Sequence, residues 1–115
     1  MPRFALLEHT GHPDDPAGRH FDLLLEEPEA CRTWRLAEIP VAGGEAVAAV
    51  PLPPHRLAWL DTLAGEVSGG RGFARRVDAG TYATAAGGEI DLQGSILTGR
   101  LRLDPAETGW QATLG

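Results

Sequence analysis

Along residues 3–26, RFALLEHTGHPDDPAGRHFDLLLE, apolar and polar positions alternate in two short runs separated by a turn-rich stretch. Arg3 to Glu8 reads as a strand ending at His9, and His20 to Glu26 reads as a second. Side chains two apart on a strand share a face, so Phe21, Leu23 and Leu25 form a core face. His20, Asp22, Leu24 and Glu26 then point the other way. The intervening GHPDDPAGR is rich in Gly, Pro and Asp, which favour turns. Pairing the two strands places His9 beside His20 and Asp22. Two imidazoles and a carboxylate on one rigid sheet face suit a facial site for a divalent metal. They also suit a polar, solvated sheet face, and spacing alone leaves both open. His12, Asp14 and Asp15 read as solvated turn residues, although the two acids are near enough in sequence to add carboxylates to such a site.

The rest of the chain continues in short extended segments. RTWRLAEIP predicts a third strand, with Trp34 and Leu36 on one face and Thr33 and Arg35 on the other. EAVAAVPLP predicts a short strand halted by prolines. PPHRLAWLDTLAGEV holds one short helical turn, with Leu57, Leu60 and Leu63 at helix-like intervals. SGGRGF is a Gly-rich loop. FARRVDAGTYAT reads as strand, tight turn at Asp78 to Gly80, then strand. EIDLQGSILTGRLRLDPAETGWQATL closes the chain as three short strands. About eight strand-like segments with turn signals between them predict an all-β, mainly antiparallel fold. The expected architecture is a single small β-barrel, closed or nearly closed, with one or two short helices. Its core should include Phe21, Leu23, Leu25, Trp34, Leu36, Val77, Leu101 and Leu103. No repeat, low-complexity tail or linker divides residues 1–115, so one domain is expected.

Composition narrows the chemistry. The chain carries 16 acidic residues against 10 basic ones, a net charge of -6, and every basic residue is Arg. That balance argues against indiscriminate coating of nucleic acid, which needs a strongly basic surface, but allows a local Arg-lined groove. No apolar run approaches the roughly 18 residues of a membrane span. The N-terminus has too short an apolar stretch, interrupted by Glu8 and His9, to read as a signal peptide. A single cysteine, Cys31, makes no internal disulfide, which fits a reducing cytoplasm. It reads as a small half-buried residue, not a catalytic thiol. Ser68 and Ser95 lack a G-x-S-x-G setting, SGGRGF lacks the P-loop pattern, and Cys pairs for a zinc finger are absent. Trp59 and Trp110 read as core or barrel-end aromatics.

The ordered set of short motifs carries more than any one of them. After His9 come H-F-D-L-L-L-E, T-W-R-L, P-H-R-L-A-W, V-D-A-G-T-Y and L-Q-G-S-I-L-T-G-R-L-R-L, then a C-terminal Trp strand. This order resembles the 3′-phosphoesterase domain of bacterial DNA ligase D, and more closely its small free-standing relatives. The family pattern runs from a first His through H-Y-D-F-R-L-E, S-W-A-V-P-K, D-H-P-L-x-Y and W-D-x-G-T-Y to a final L-x-G-x-K-L-x-G-x-F-x-L. The resemblance spans Arg3 to Leu114. It implies a Mn²⁺-dependent phosphoesterase that removes a 3′-phosphate or 3′-ribonucleotide from DNA ends during end-joining repair. Its metal ligands match His9, His20 and Asp22, and its phosphate-engaging histidine matches His55. Nitrogen and carboxylate ligands also suit Zn²⁺ or Fe²⁺. The implied partners are DNA 3′ ends on a primer–template and a repair ligase or polymerase, with no membrane and a monomer by default.

Several family positions differ here. The phosphate-clamping arginine two residues beyond the HxD aspartate is Leu24, the lysine after S-W-A-V-P falls at Glu38, and a further basic position falls near Glu45. The loop from His9 to His20 is longer than the family's, and the family tyrosine four residues beyond its phosphate histidine is Trp59. Two functions therefore compete. In the first, an enzyme, Arg35 replaces the lost clamp, with Arg75, Arg76 and Arg19 as further candidates. In the second, a catalytically weakened barrel binds metal, nucleic-acid ends or a repair partner.

Overall fold

The computed structural model of the chain describes residues 1–13, 18–67 and 69–115. Among them the strands are β1 (Arg3–Thr10), β2 (Arg19–Glu26), β3 (Cys31–Leu36), β4 (Val47–His55), β5 (Ala64–Glu66), β6 (Phe73–Thr84), β7 (Ile90–Gln93), β8 (Thr98–Pro105) and β9 (Trp110–Leu114). Two 3₁₀ turns, Leu57–Asp61 and Ala86–Gly88, are the only helical elements among the described residues. Neighbouring strands are antiparallel and run β1-β2-β3-β4-β9-β8-β7-β6, and β6 pairs back onto β1. The result is a closed eight-stranded barrel, as the segment pattern predicts. Strand β5 lies outside that ring, against the first residues of β6. Among the described residues, no helix is long and apolar enough to cross a membrane.

Strand alternation sorts side chains into two layers. Phe4 and Leu6 of β1, Phe21, Leu23 and Leu25 of β2, and Leu36 of β3 fill the barrel with Ile90, Leu92, Leu97, Leu101, Ala112 and Leu114. The expected core members Trp34, Val77 and Leu103 are partly buried and pack against this cluster. Trp34 meets Trp110 edge to face, with ring centroids 5.4 Å apart. The opposite faces of β1, β2 and β3 point outward. There Ala5, Leu7, Leu24 and Cys31, with Ala74 of the neighbouring β6, form a second cluster capped by Leu60 of the first 3₁₀ turn. Leu57 packs against it, but Leu63 is exposed, so only part of the expected helical face is used. Burial pushes the Cys31 thiol up to about 11, so it is a neutral core group at physiological pH.

The tight turn expected at Asp78 to Gly80 does not form. β6 runs unbroken from Phe73 to Thr84 and pairs with the whole of β1, with a register shift between Leu6 and Leu7. The buried Asp78 carboxylate instead accepts backbone N–H groups of Ser95 (3.0 Å), Ile96 (3.0 Å) and Leu97 (2.7 Å). Gly80 lies so close to the Gln93 carbonyl that a Cβ there would collide with it. Asp and Gly two apart thus tie β6 to the 94–97 loop; they do not reverse the chain.

Candidate metal centre

The centre is built on the outer face of β1, β2 and β3. Register places His9 opposite His20, Leu7 opposite Asp22, and Asp22 opposite Arg35, so the predicted site residues share one outward patch. His20 Nε2 lies 3.1 Å from His9 Nδ1 and 3.6 Å from Asp22 Oδ1, and His9 Nδ1 lies 3.8 Å from Asp22 Oδ2. All three residues are buried. Ligands about 2.1 Å from a metal in tetrahedral or octahedral geometry sit about 3.0–3.4 Å apart, close to these separations. Asp22 Oδ1 is buried and accepts no hydrogen bond from the protein; its nearest charged neighbour, the Arg35 guanidinium, stands 3.9 Å away, beyond hydrogen-bond length. A buried carboxylate in that position fits a bound cation. The triad His9, His20 and Asp22 therefore fits a divalent metal.

Neighbouring side chains surround this group. His55, at the end of β4, places Nε2 3.8 Å from Asp22 Oδ2. Its Nδ1–H donates to the Pro53 carbonyl (3.1 Å), which turns Nε2 toward the centre. Arg35 brings Nε to 3.9 Å from Asp22 Oδ1, beyond hydrogen-bond length, and that nitrogen too is buried without an acceptor. His12 was expected to be solvated. Its ring lies 5.4 Å from that of His9 and 6.1 Å from that of His20, centroid to centroid. All four histidines of the chain thus gather in one place; spacing and motif order bring His9, His20 and His55 to the site but leave His12 to solvent. His9 Nε2–H donates to the main-chain carbonyl of Arg71 at 2.6 Å.

Beside the triad is a cavity of about 670 Å³. Arg35, Arg56 and Arg71 bring positive charge to it against Asp22 and Glu66, while Leu52, Pro53, Pro54 and Trp59 give it an apolar side. A chain of net charge -6 therefore concentrates cations where an anion would meet the metal ligands. No family model matches the chain, and no curated protein matches it either. The site's meaning thus rests on its own chemistry.

Other anticipated residues stand elsewhere. Leu24 shares the outward face of His20 and Asp22, but it is completely buried in the cluster beneath Leu60 and does not line the cavity. Glu38 lies at a second surface depression with Glu8, Arg19, Arg75 and Arg76, and Glu45 is exposed. Among the substitute clamps, Arg19 and Arg75 pair with Glu8, and Arg76 donates to the Leu60 carbonyl, so none faces the triad. Arg35 alone of those four reaches Asp22. Asp14, Asp15 and Ser68 lie outside the described residues.

Proposed function

We propose that the chain is a metal-dependent phosphoesterase that trims 3′-phosphate or 3′-ribonucleotide ends of DNA, with Mn²⁺ as its metal, in end-joining repair beside a ligase or polymerase. The observation that carries this reading is the meeting of the buried triad with Arg35 and His55 at one cation-lined cavity. The motif order shared with ligase D phosphoesterase domains supplies the substrate class. His9, His20 and Asp22 would hold the metal, which supplies Lewis-acid polarisation of a phosphoryl oxygen when bound. Arg35, whose Nε has no hydrogen-bond acceptor and stands 3.9 Å from Asp22, presents a planar fork for two non-bridging phosphate oxygens. His55, with its Nδ1–H committed to the Pro53 carbonyl, turns the Nε2 lone pair toward the centre, where it can accept a proton from a water or hydroxyl beside the phosphoryl group. Leu52, Pro53, Pro54 and Trp59 form an apolar wall suited to the sugar and base flanking the phosphate.

The second reading, a barrel that binds metal, DNA ends or a repair partner without turning over, is favoured by one observation: the position of the family's clamp is filled by the sealed side chain of Leu24. One experiment separates the two. Mn²⁺-dependent turnover of a 3′-phosphate or 3′-ribonucleotide primer–template, absent with EDTA and slower on a simple phosphodiester, supports the enzyme. Metal-dependent binding of the same ends with no turnover supports the binding module.

A further inference from the structure

We propose that the hairpin joining β5 to β6 is a positioning element for the metal centre. Through the main-chain carbonyl of Arg71 it fixes the tautomer of His9 and selects Nδ1 as the nitrogen that His9 gives to a metal. The proposal rests on the metal reading of His9, His20 and Asp22. A carbonyl oxygen only accepts, so the 2.6 Å contact from His9 Nε2 requires the proton on Nε2 and leaves the lone pair on Nδ1. That is the nitrogen facing His20 Nε2 and Asp22. Metal-ligating histidines are commonly held in this way by a carbonyl or carboxylate on the far ring nitrogen.

The strand arrangement supports the same assignment. The barrel closes through β6 and β1 without β5, so β5 is not needed to complete the ring. Its three residues pair with Phe73–Arg75, and the Val67 N–H donates to the Gly72 carbonyl at 2.8 Å to close the turn. Gly72 has φ +96 and abuts the end of β1 so closely that a Cβ would collide with the carbonyl oxygen of Thr10, the neighbour of His9. Glycine at that position lets the turn lie against β1, and the next carbonyl back is the one that meets His9. The outlying strand thus delivers a main-chain acceptor to the one ligand that β1 contributes.

The test uses the full chain. Long-range ¹H–¹⁵N correlation spectra of the histidine rings, recorded metal-free and with diamagnetic Zn²⁺, should give His9 as the Nε2–H tautomer with Nδ1 bound to the metal. Calorimetry with Mn²⁺ should then give Gly72→Ala an affinity about 10–100-fold below wild type, the range for losing such a partner. Gly87→Ala carries the same positive-φ penalty in the distant 3₁₀ turn (φ +72) and should bind as wild type does. An Nδ1–H tautomer for His9, or equal Mn²⁺ affinity for folded Gly72→Ala and wild type, overturns the proposal. If Gly72→Ala does not fold, the wild-type tautomer decides alone. Wild type that binds no divalent metal overturns the metal reading itself, and this proposal with it.

Discussion

Replacing Arg35 with alanine is expected to move metal affinity and turnover in opposite directions. Its Nε stands 3.9 Å from Asp22 Oδ1. Adding an ordinary metal–oxygen bond of about 2.1 Å caps its separation from a dication on that oxygen at about 6 Å. A unit charge and a dication at about 6 Å repel by about 1.4 kcal/mol even at the dielectric constant of water, and by more in a partly buried site. Arg35→Ala should therefore bind Mn²⁺ about tenfold more tightly in low-salt calorimetry, with the gain shrinking as salt is raised. The same variant loses the fork for phosphate oxygens, so turnover should fall at least about tenfold, roughly 1.4 kcal/mol of transition-state stabilisation. Arg35→Lys separates charge from shape: metal affinity should stay near wild type while only part of the turnover returns. Unchanged or weaker Mn²⁺ binding by Arg35→Ala would refute the electrostatic argument. Unchanged turnover would remove Arg35 from the phosphate.

Three further outcomes are expected. Asp22→Ala should abolish Mn²⁺ binding in calorimetry, and equal affinities would take Asp22 out of the site. Asp78→Asn places an amide NH₂ among backbone donors that need an acceptor, so it should cost roughly 3 kcal/mol or more, nearly as much as Asp78→Ala; a urea midpoint near wild type, followed by Trp fluorescence, would contradict this. Leu24→Arg puts an unpaired charge into a sealed apolar cluster and should destabilise the fold by several kcal/mol without restoring a clamp. A stable Leu24→Arg protein with increased phosphoesterase activity would show instead that the cluster opens and that position 24 reaches the phosphate.

The layering of β1, β2 and β3 was legible because period-two alternation states it directly: Phe21, Leu23 and Leu25 inward, His20 and Asp22 outward. The triad followed from the same period and an antiparallel pairing. The burial of Leu24 was not legible because alternation gives a side chain's direction but not what lies above it, and Leu60 arrives from a segment more than thirty residues on. The unbroken β6 was missed because Asp-x-Gly is a turn signal in isolation, whereas here the carboxylate caps three N–H groups of another loop. β5 is too short to leave a pattern. The contact from Arg71 to His9 is made by a main-chain carbonyl, which every residue type carries and which the sequence therefore cannot announce.

Placing the centre on the barrel's outer wall has a consequence for how such a protein changes over generations. On the outward face two positions flank Asp22 at similar range, position 24 two residues along β2 and position 35 straight across on β3. Changes at either position leave the inward residues of both strands untouched, so their cost falls on the outer layer and not on the barrel core. In this chain position 24 is apolar and packs under the 3₁₀ turn, while Arg35 turns toward the acid. A wall with its polar groups outside and its packing inside lets substitutions redraw the site while the architecture stays constant.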